Sequence, residues 1–95
     1  MASEFFQTME QLGYKLEKDE KVSFTFMKER RDSDLYLVVN MGRKYVNAIC
    51  IPKQIILYEK DLTILLAEFK ELRKDAKYVA KRAGYVLLGG DYGDN

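Results

Sequence analysis

The sequence predicts an α+β domain: a short N-terminal helix, an antiparallel meander of three to four strands, and a long C-terminal helix packed on one face of the sheet. Three observations carry that expectation. Apolar residues recur at helical spacing near the start and again over a much longer stretch in the second half, and between the two the period drops to two. At 95 residues, 47% hydrophobic and 33% charged with a single proline, the chain has the size and composition of one compact domain rather than of a disordered or fibrous one. Residues 1–88 are expected to form that domain and residues 89–95, Gly89-Gly90-Asp91-Tyr92-Gly93-Asp94-Asn95, a flexible tail.

Each element follows from local pattern. Ser3 precedes Glu4 to Leu12, where Phe5, Met9 and Leu12 share a helical face, and Gly13 supplies the stop. Lys15 to Glu20 is dense in charges of both signs, which favours a solvated connector. From Val22 the period is two, with Val22, Phe24 and Phe26 opposite Ser23 and Thr25, a half-buried strand. Arg30-Arg31-Asp32-Ser33-Asp34 reads as a polar turn, Leu35 to Val39 as a second strand, and Lys44 to Ile51 as a third. Between the last two, Asn40-Met41-Gly42-Arg43 offers a hairpin loop with a glycine available for positive φ. Pro52 ends or kinks the third strand, and Gln54 to Tyr58 is apolar enough for a fourth.

The strongest signal is Glu59 to Ala83. Leu62, Leu65, Leu66, Phe69, Leu72, Ala76, Val79, Ala80 and Ala83 fall on one stripe, and Gly84 closes the helix. Glu59 and Asp61 in the first turn, with Lys81 and Arg82 in the last, match the helix macrodipole. Tyr85 to Leu88 can add a short strand. The expected core between helix and sheet is Phe24, Phe26, Leu37, Val39, Ile49, Leu62, Leu66 and Phe69.

Composition narrows the chemistry. With no histidine, the chain lacks the residue most used for proton transfer near neutral pH and for metal ligation. A single cysteine, Cys50, leaves no internal disulfide and no cysteine-rich zinc site, and fits a reducing, cytoplasmic setting. Asp32 and Asp34 lack the glycine and closing glutamate of a calcium loop, and Asp91 and Asp94 sit on glycine-rich chain too loose to hold a cation selectively. Neither Gly42 nor Gly89-Gly90 belongs to a phosphate-cradling motif. No catalytic, cofactor-binding or metal site is expected, no secretory or membrane-spanning segment is read, and the protein is expected not to be an enzyme.

Binding must then come from local clustering, because the net charge is only +1. Lys70, Lys74, Lys77 and Lys81 form a row on one flank of the long helix, and Glu68, Glu71 and Asp75 occupy the other. Arg30-Arg31 and Arg43-Lys44 sit at the two hairpins, with Tyr36 and Tyr45 on the strands beside them. Cations interleaved with aromatics on a sheet are what single-stranded nucleic-acid binders use.

The order of several antiparallel strands followed by one long helix, over Val22 to Leu72 with the Gln54-to-Leu72 strand-to-helix passage, is similar to the transcriptional coactivator PC4-like family. That resemblance implies single-stranded-DNA binding and homodimers paired through their helices. The N-terminal helix and near-neutral charge depart from that layout. In style the chain also resembles small accessory proteins of phages and mobile elements, which implies binding to a host protein. The expected function is a non-enzymatic binding or regulatory protein acting through protein contacts, with single-stranded nucleic-acid binding as the alternative. A homodimer is expected through the second half of the long helix. There about 14 Å of helix should outrun a seven-residue strand, leaving Ala76, Val79, Ala80 and Ala83 for a second helix unless the N-terminal helix or Tyr85 to Leu88 covers them.

Overall fold

The two helices, α1 (Ala2–Leu12) and α2 (Glu59–Ala83), end with the same local device. In a computed structural model, which describes residues 2–89, Gly13 and Gly84 both take left-handed φ, 94° and 71°. The Gly13 N–H donates to the Glu10 carbonyl and Tyr14 N–H to Met9, while Gly84 N–H donates to Lys81 and Tyr85 N–H to Ala80. These reciprocal bonds satisfy the last carbonyls of each helix and require a residue without a Cβ penalty at the turn. The tyrosine that follows each glycine folds back onto its neighbours. Tyr14 is buried, and the Tyr85 ring lies 5.5 Å from Phe5.

Between the helices run β1 (Lys15–Asp19), β2 (Ser23–Glu29), β3 (Ser33–Asn40) and β4 (Tyr45–Pro52), and after α2 comes β5 (Val86–Leu88). They form one five-stranded sheet in chain order, antiparallel through β4, with β5 parallel to β4 because α2 carries the chain back before it. The architecture is the predicted α+β with a meander and a long helix on the sheet, but it has more strands than the pattern suggested. Lys15 to Asp19 is no connector: it pairs with β2 as an edge strand, exposed throughout and bulged between Leu16 and Lys18. Backbone pairing, not an apolar period, holds it. Gln54 to Tyr58 forms no strand and links β4 to α2 instead. In the β3–β4 turn the left-handed residue is Lys44, at φ 59°, not Gly42. There the Asn40 side chain accepts the Arg43 N–H at 2.7 Å and fixes the turn. Of the expected tail, Gly89 is described and residues 90–95 lie outside the described residues.

Register assigns the faces. Phe24 and Phe26 stand beside Val39 and Leu37, which in turn pair with Val46 and Ala48. All six are buried beneath the helices, and the Phe6 ring meets Phe24 and Phe26 edge-on at 5.3 and 5.8 Å. The alternate residues, including Met27, Tyr36, Val38, Tyr45, Ile49 and Ile51, point to the opposite face, which carries no helix among the described residues. Ile49 was expected in the core but pairs with Tyr36 on that open face, since a one-residue change of parity moves a strand side chain across the sheet.

Helix α2 is also rolled and shifted relative to its apolar stripe. Its buried residues are Glu68, Leu72, Asp75, Ala76, Val79 and Ala80; Phe69 is partly buried, and Leu62 and Leu66 are exposed. Glu68 is level with Ser33, the first residue of β3, so the opening turns of α2 have no strand beneath them. The helix does outrun the sheet, but at its N-terminal end rather than its C-terminal end.

Candidate interaction surfaces

The basic residues singled out in the sequence are distributed over three sites. Arg30 and Arg31 occupy the β2–β3 turn, where Arg30 Nε lies 3.4 Å from Glu71 Oε1 and Arg31 Nε 4.0 Å from Asp32 Oδ2. Arg43 and Lys44 occupy the β3–β4 turn at the other end of β3, an eight-residue strand about 27 Å long. Lys70, Lys74, Lys77 and Lys81 line the side of α2 turned away from the sheet. Tyr36 and Tyr45 do share the open sheet face, Tyr36 flanked by Met27 and Ile49, and Tyr45 accepting a hydrogen bond from Asn40 Nδ2 at 3.4 Å. The lysine row and the tyrosines are thus on opposite sides of the molecule.

The acidic flank of α2 faces inward. Tyr14 Oη donates to Asp75 Oδ2 at 3.0 Å, and Lys28 Nζ sits 2.5 Å from Glu71 Oε2 and 3.7 Å from Asp75 Oδ2. The Ser33 hydroxyl donates to Glu68 Oε1 at 2.6 Å and the Asp32 N–H to Glu68 Oε2 at 3.2 Å. Lys28 occupies an inward position of β2 beside Leu35, which explains why acids can sit on the buried side of the helix: the sheet supplies their cation. Burial raises the Asp75 carboxyl above the usual aspartate range, opposed by the Tyr14 hydroxyl and by Lys28. Burial likewise pushes the Tyr14 phenol well above its ordinary value, reinforced by the Asp75 charge and the hydrogen bond to it. These groups fasten α2 to β2 and to the end of α1. The sequence held a clue in Lys28, a cation continuing the inward alternation of Phe24 and Phe26.

Ala76, Val79 and Ala80, expected to face a second helix, are packed inside the chain. They belong to one core with Phe5, Met9 and Leu72, and the half-buried Ala83 lies with Val79 along the groove that Phe5 and Gln11 of α1 help to line. Their small size lets α1 and the sheet approach α2 closely, so the face offered to a partner is occupied by α1 and Tyr85.

The uncovered apolar surface is elsewhere. Ile49 and Ile51 of β4, Ile55, Ile56, Leu57 and Tyr58 of the link, and Leu62 and Leu66 of α2 are all exposed, from 39% at Ile49 to 79% at Ile55. Two of them, Ile49 and Leu66, line a hollow with Asn47, Ala48, Cys50, Pro52, Leu65 and Phe69. Burial holds the half-buried Cys50 thiol above its ordinary pKa. Reading Gln54 to Tyr58 as a strand hid this surface. The available signal was an unbroken Ile-Ile-Leu-Tyr run that obeys neither the helical nor the strand period.

Among the described residues no cluster of potential metal ligands occurs, and no helix is long and apolar enough to cross a membrane. No family model, curated protein or solved structure matches this chain.

Proposed function

We propose that the protein is a non-enzymatic binding or regulatory module that works through protein contacts made by the apolar end of the domain: the second half of β4, the β4–α2 link and the first turns of α2. The observation that carries this reading is the exposure of eight large apolar residues at one end of the domain. Ile55, Leu57 and Tyr58 are 79%, 71% and 65% exposed, and large apolar residues gathered at one end of a domain mark an interaction site rather than ordinary surface. The single cysteine, Cys50, suits a reducing, cytoplasmic setting for this work.

A photo-crosslinking residue placed at Leu66 is expected to capture protein in cells of the native source, and the same residue at Lys74, about 12 Å further along α2 in the outward lysine row, is not. Capture of nothing from Leu66 overturns the reading. Single-stranded nucleic acid is the contrasting ligand, and because the lysine row and the tyrosines face opposite ways, a labelled oligonucleotide is expected to show no binding even at low salt. Binding that weakens steeply as salt rises would favour the nucleic-acid reading instead.

A further inference from the structure

The two edges of the sheet are finished differently. Strand β1 has charged residues at four of its five positions and a bulge, features that discourage pairing with another strand. Strand β4 has neither along its second half, Ile49 to Pro52; its closing proline lacks an N–H but keeps its carbonyl for pairing. The Lys44 carbonyl accepts the Val86 N–H at 3.1 Å, so by alternation residues 46, 48, 50 and 52 direct their backbone groups to that side. Pairing with β5 stops at Asn47, with Gly89 against Ala48. Beyond it, the Cys50 N–H and carbonyl and the Pro52 carbonyl meet no strand among the described residues.

We propose that this edge is occupied by a second copy of the chain, the free stretches of the two β4 strands pairing antiparallel about a two-fold axis near Ile51, so that each Cys50 N–H donates to the partner's Pro52 carbonyl. This rests on the protein-contact reading above and names the partner of that surface. A strand edge is self-complementary when turned antiparallel, and Ile49 and Ile51 of the two copies then adjoin on the open face.

The helix layer fits the same operation. Glu68 reaches Ser33 of β3 while Phe69 lines one hollow with Cys50 of β4, which places this part of α2 between those two strands. With strands about 4.8 Å apart, the two helices come to lie roughly 10 Å from each other, a packing distance for helices. Leu62 and Leu66 project from the flank of α2 nearest that edge. An extended peptide from an unrelated protein satisfies the edge but leaves those leucines bare, whereas a second copy brings edge and helix flank together. The charges around this surface do not favour one sign of partner: Glu59, Lys60 and Asp61 mix signs, Lys53 is paired with Glu29 at 2.8 Å, and the Arg73 guanidinium lies over the Phe69 ring of its own helix.

Light scattering on the full chain from 1 to about 100 μM is expected to give twice the 11.1 kDa chain mass. Leu66→Glu and Ile51→Lys, both outside the chain's own core, are expected to return single-chain mass with an unchanged circular-dichroism spectrum, while Lys74→Glu stays paired. The Cys50 amide is expected to exchange slowly in the wild type and at least ten-fold faster in Leu66→Glu. A wild type of single-chain mass throughout that range overturns the self-pairing, as does a pair that persists in both variants. If self-pairing fails in this way, capture of a foreign protein from Leu66 leaves the protein-contact reading standing. Capture of nothing removes both.

Discussion

The halves of α2 are similarly apolar and differently used. From Leu72 to Ala80 small side chains let α1, β4 and β5 close around the helix, and Leu72 and Ala76 are wholly buried. From Glu59 to Ala67 the helix carries larger apolar residues, including Leu62, Leu65 and Leu66, yet Leu62 and Leu66 remain exposed. Side-chain hydrophobicity does not decide the difference. What decides it is whether sheet and a second helix exist alongside, and the sheet ends at Ser33 and Pro52. The stripe is covered from Leu72 onward and bare at Leu62 and Leu66, the contrast on which the proposed contact surface rests.

The sharpest way to break this contrast is to place the same charge in both halves. Ala76→Glu puts an unpaired carboxylate where no surface is exposed, and urea denaturation is expected to show a loss of at least about 3 kcal/mol, or no folded protein. Leu66→Glu is expected to leave the fold intact. An Ala76→Glu chain of wild-type stability would mean that α1 does not close over α2. Ala80→Glu, which sequence reasoning would choose to test helix pairing, belongs with Ala76→Glu as a stability variant because Ala80 is also buried.

The boundary between the halves can be tested at Glu68. Its carboxylate accepts the Ser33 hydroxyl and the Asp32 N–H and is nearly inaccessible to solvent. Ser33→Ala removes one donor from a buried carboxylate, with an expected cost of about 2 kcal/mol by urea denaturation. Wild-type stability in Ser33→Ala would show that the Glu68 anchor does not hold the helix at this level.

Much of the fold was legible from periodicity. Phe24, Phe26, Leu37 and Val39 alternate into the core, and Gly13 and Gly84 end the helices where the pattern breaks. Three features were not legible, each because a contact distant in sequence overrode a local signal. Strand β1 exists through pairing with β2, not through any apolar period of its own. The roll of α2 is set by Lys28 and Ser33, which make Glu68 and Asp75 acceptable on the inward side. The stagger of α2 against the sheet depends on how the β4–α2 link crosses, and a helical stripe by itself does not say which end will overhang. The candidate surface was missed for that last reason, since Leu62 and Leu66 have the spacing of core residues and lie beyond the core.

The smallest expected effect concerns the polar ties of the buried half. Tyr14→Phe removes the donor to Asp75 Oδ2 but leaves Lys28 Nζ 3.7 Å from the same oxygen, so the loss at neutral pH is expected to be about 1 kcal/mol. Its signature lies at alkaline pH. The folded chain holds the Tyr14 proton well above the ordinary phenol value of 10.0, because burial and the Asp75 charge both disfavour the phenolate. The unfolded chain releases that proton near 10, so above that pH the folded state binds one more proton than the unfolded state. Stability contributed by Tyr14 is therefore complete below pH 10 and falls by about 1.4 kcal/mol per pH unit above it. Tyr14→Phe lacks this limb while every other titrating group is shared. Urea denaturation of both chains from pH 8 to 11 is expected to show the gap between them closing and then reversing above pH 10. A constant gap across that range would mean that the phenol titrates alike in both states, and that Tyr14 does not carry its proton into the contact between α1, β2 and α2.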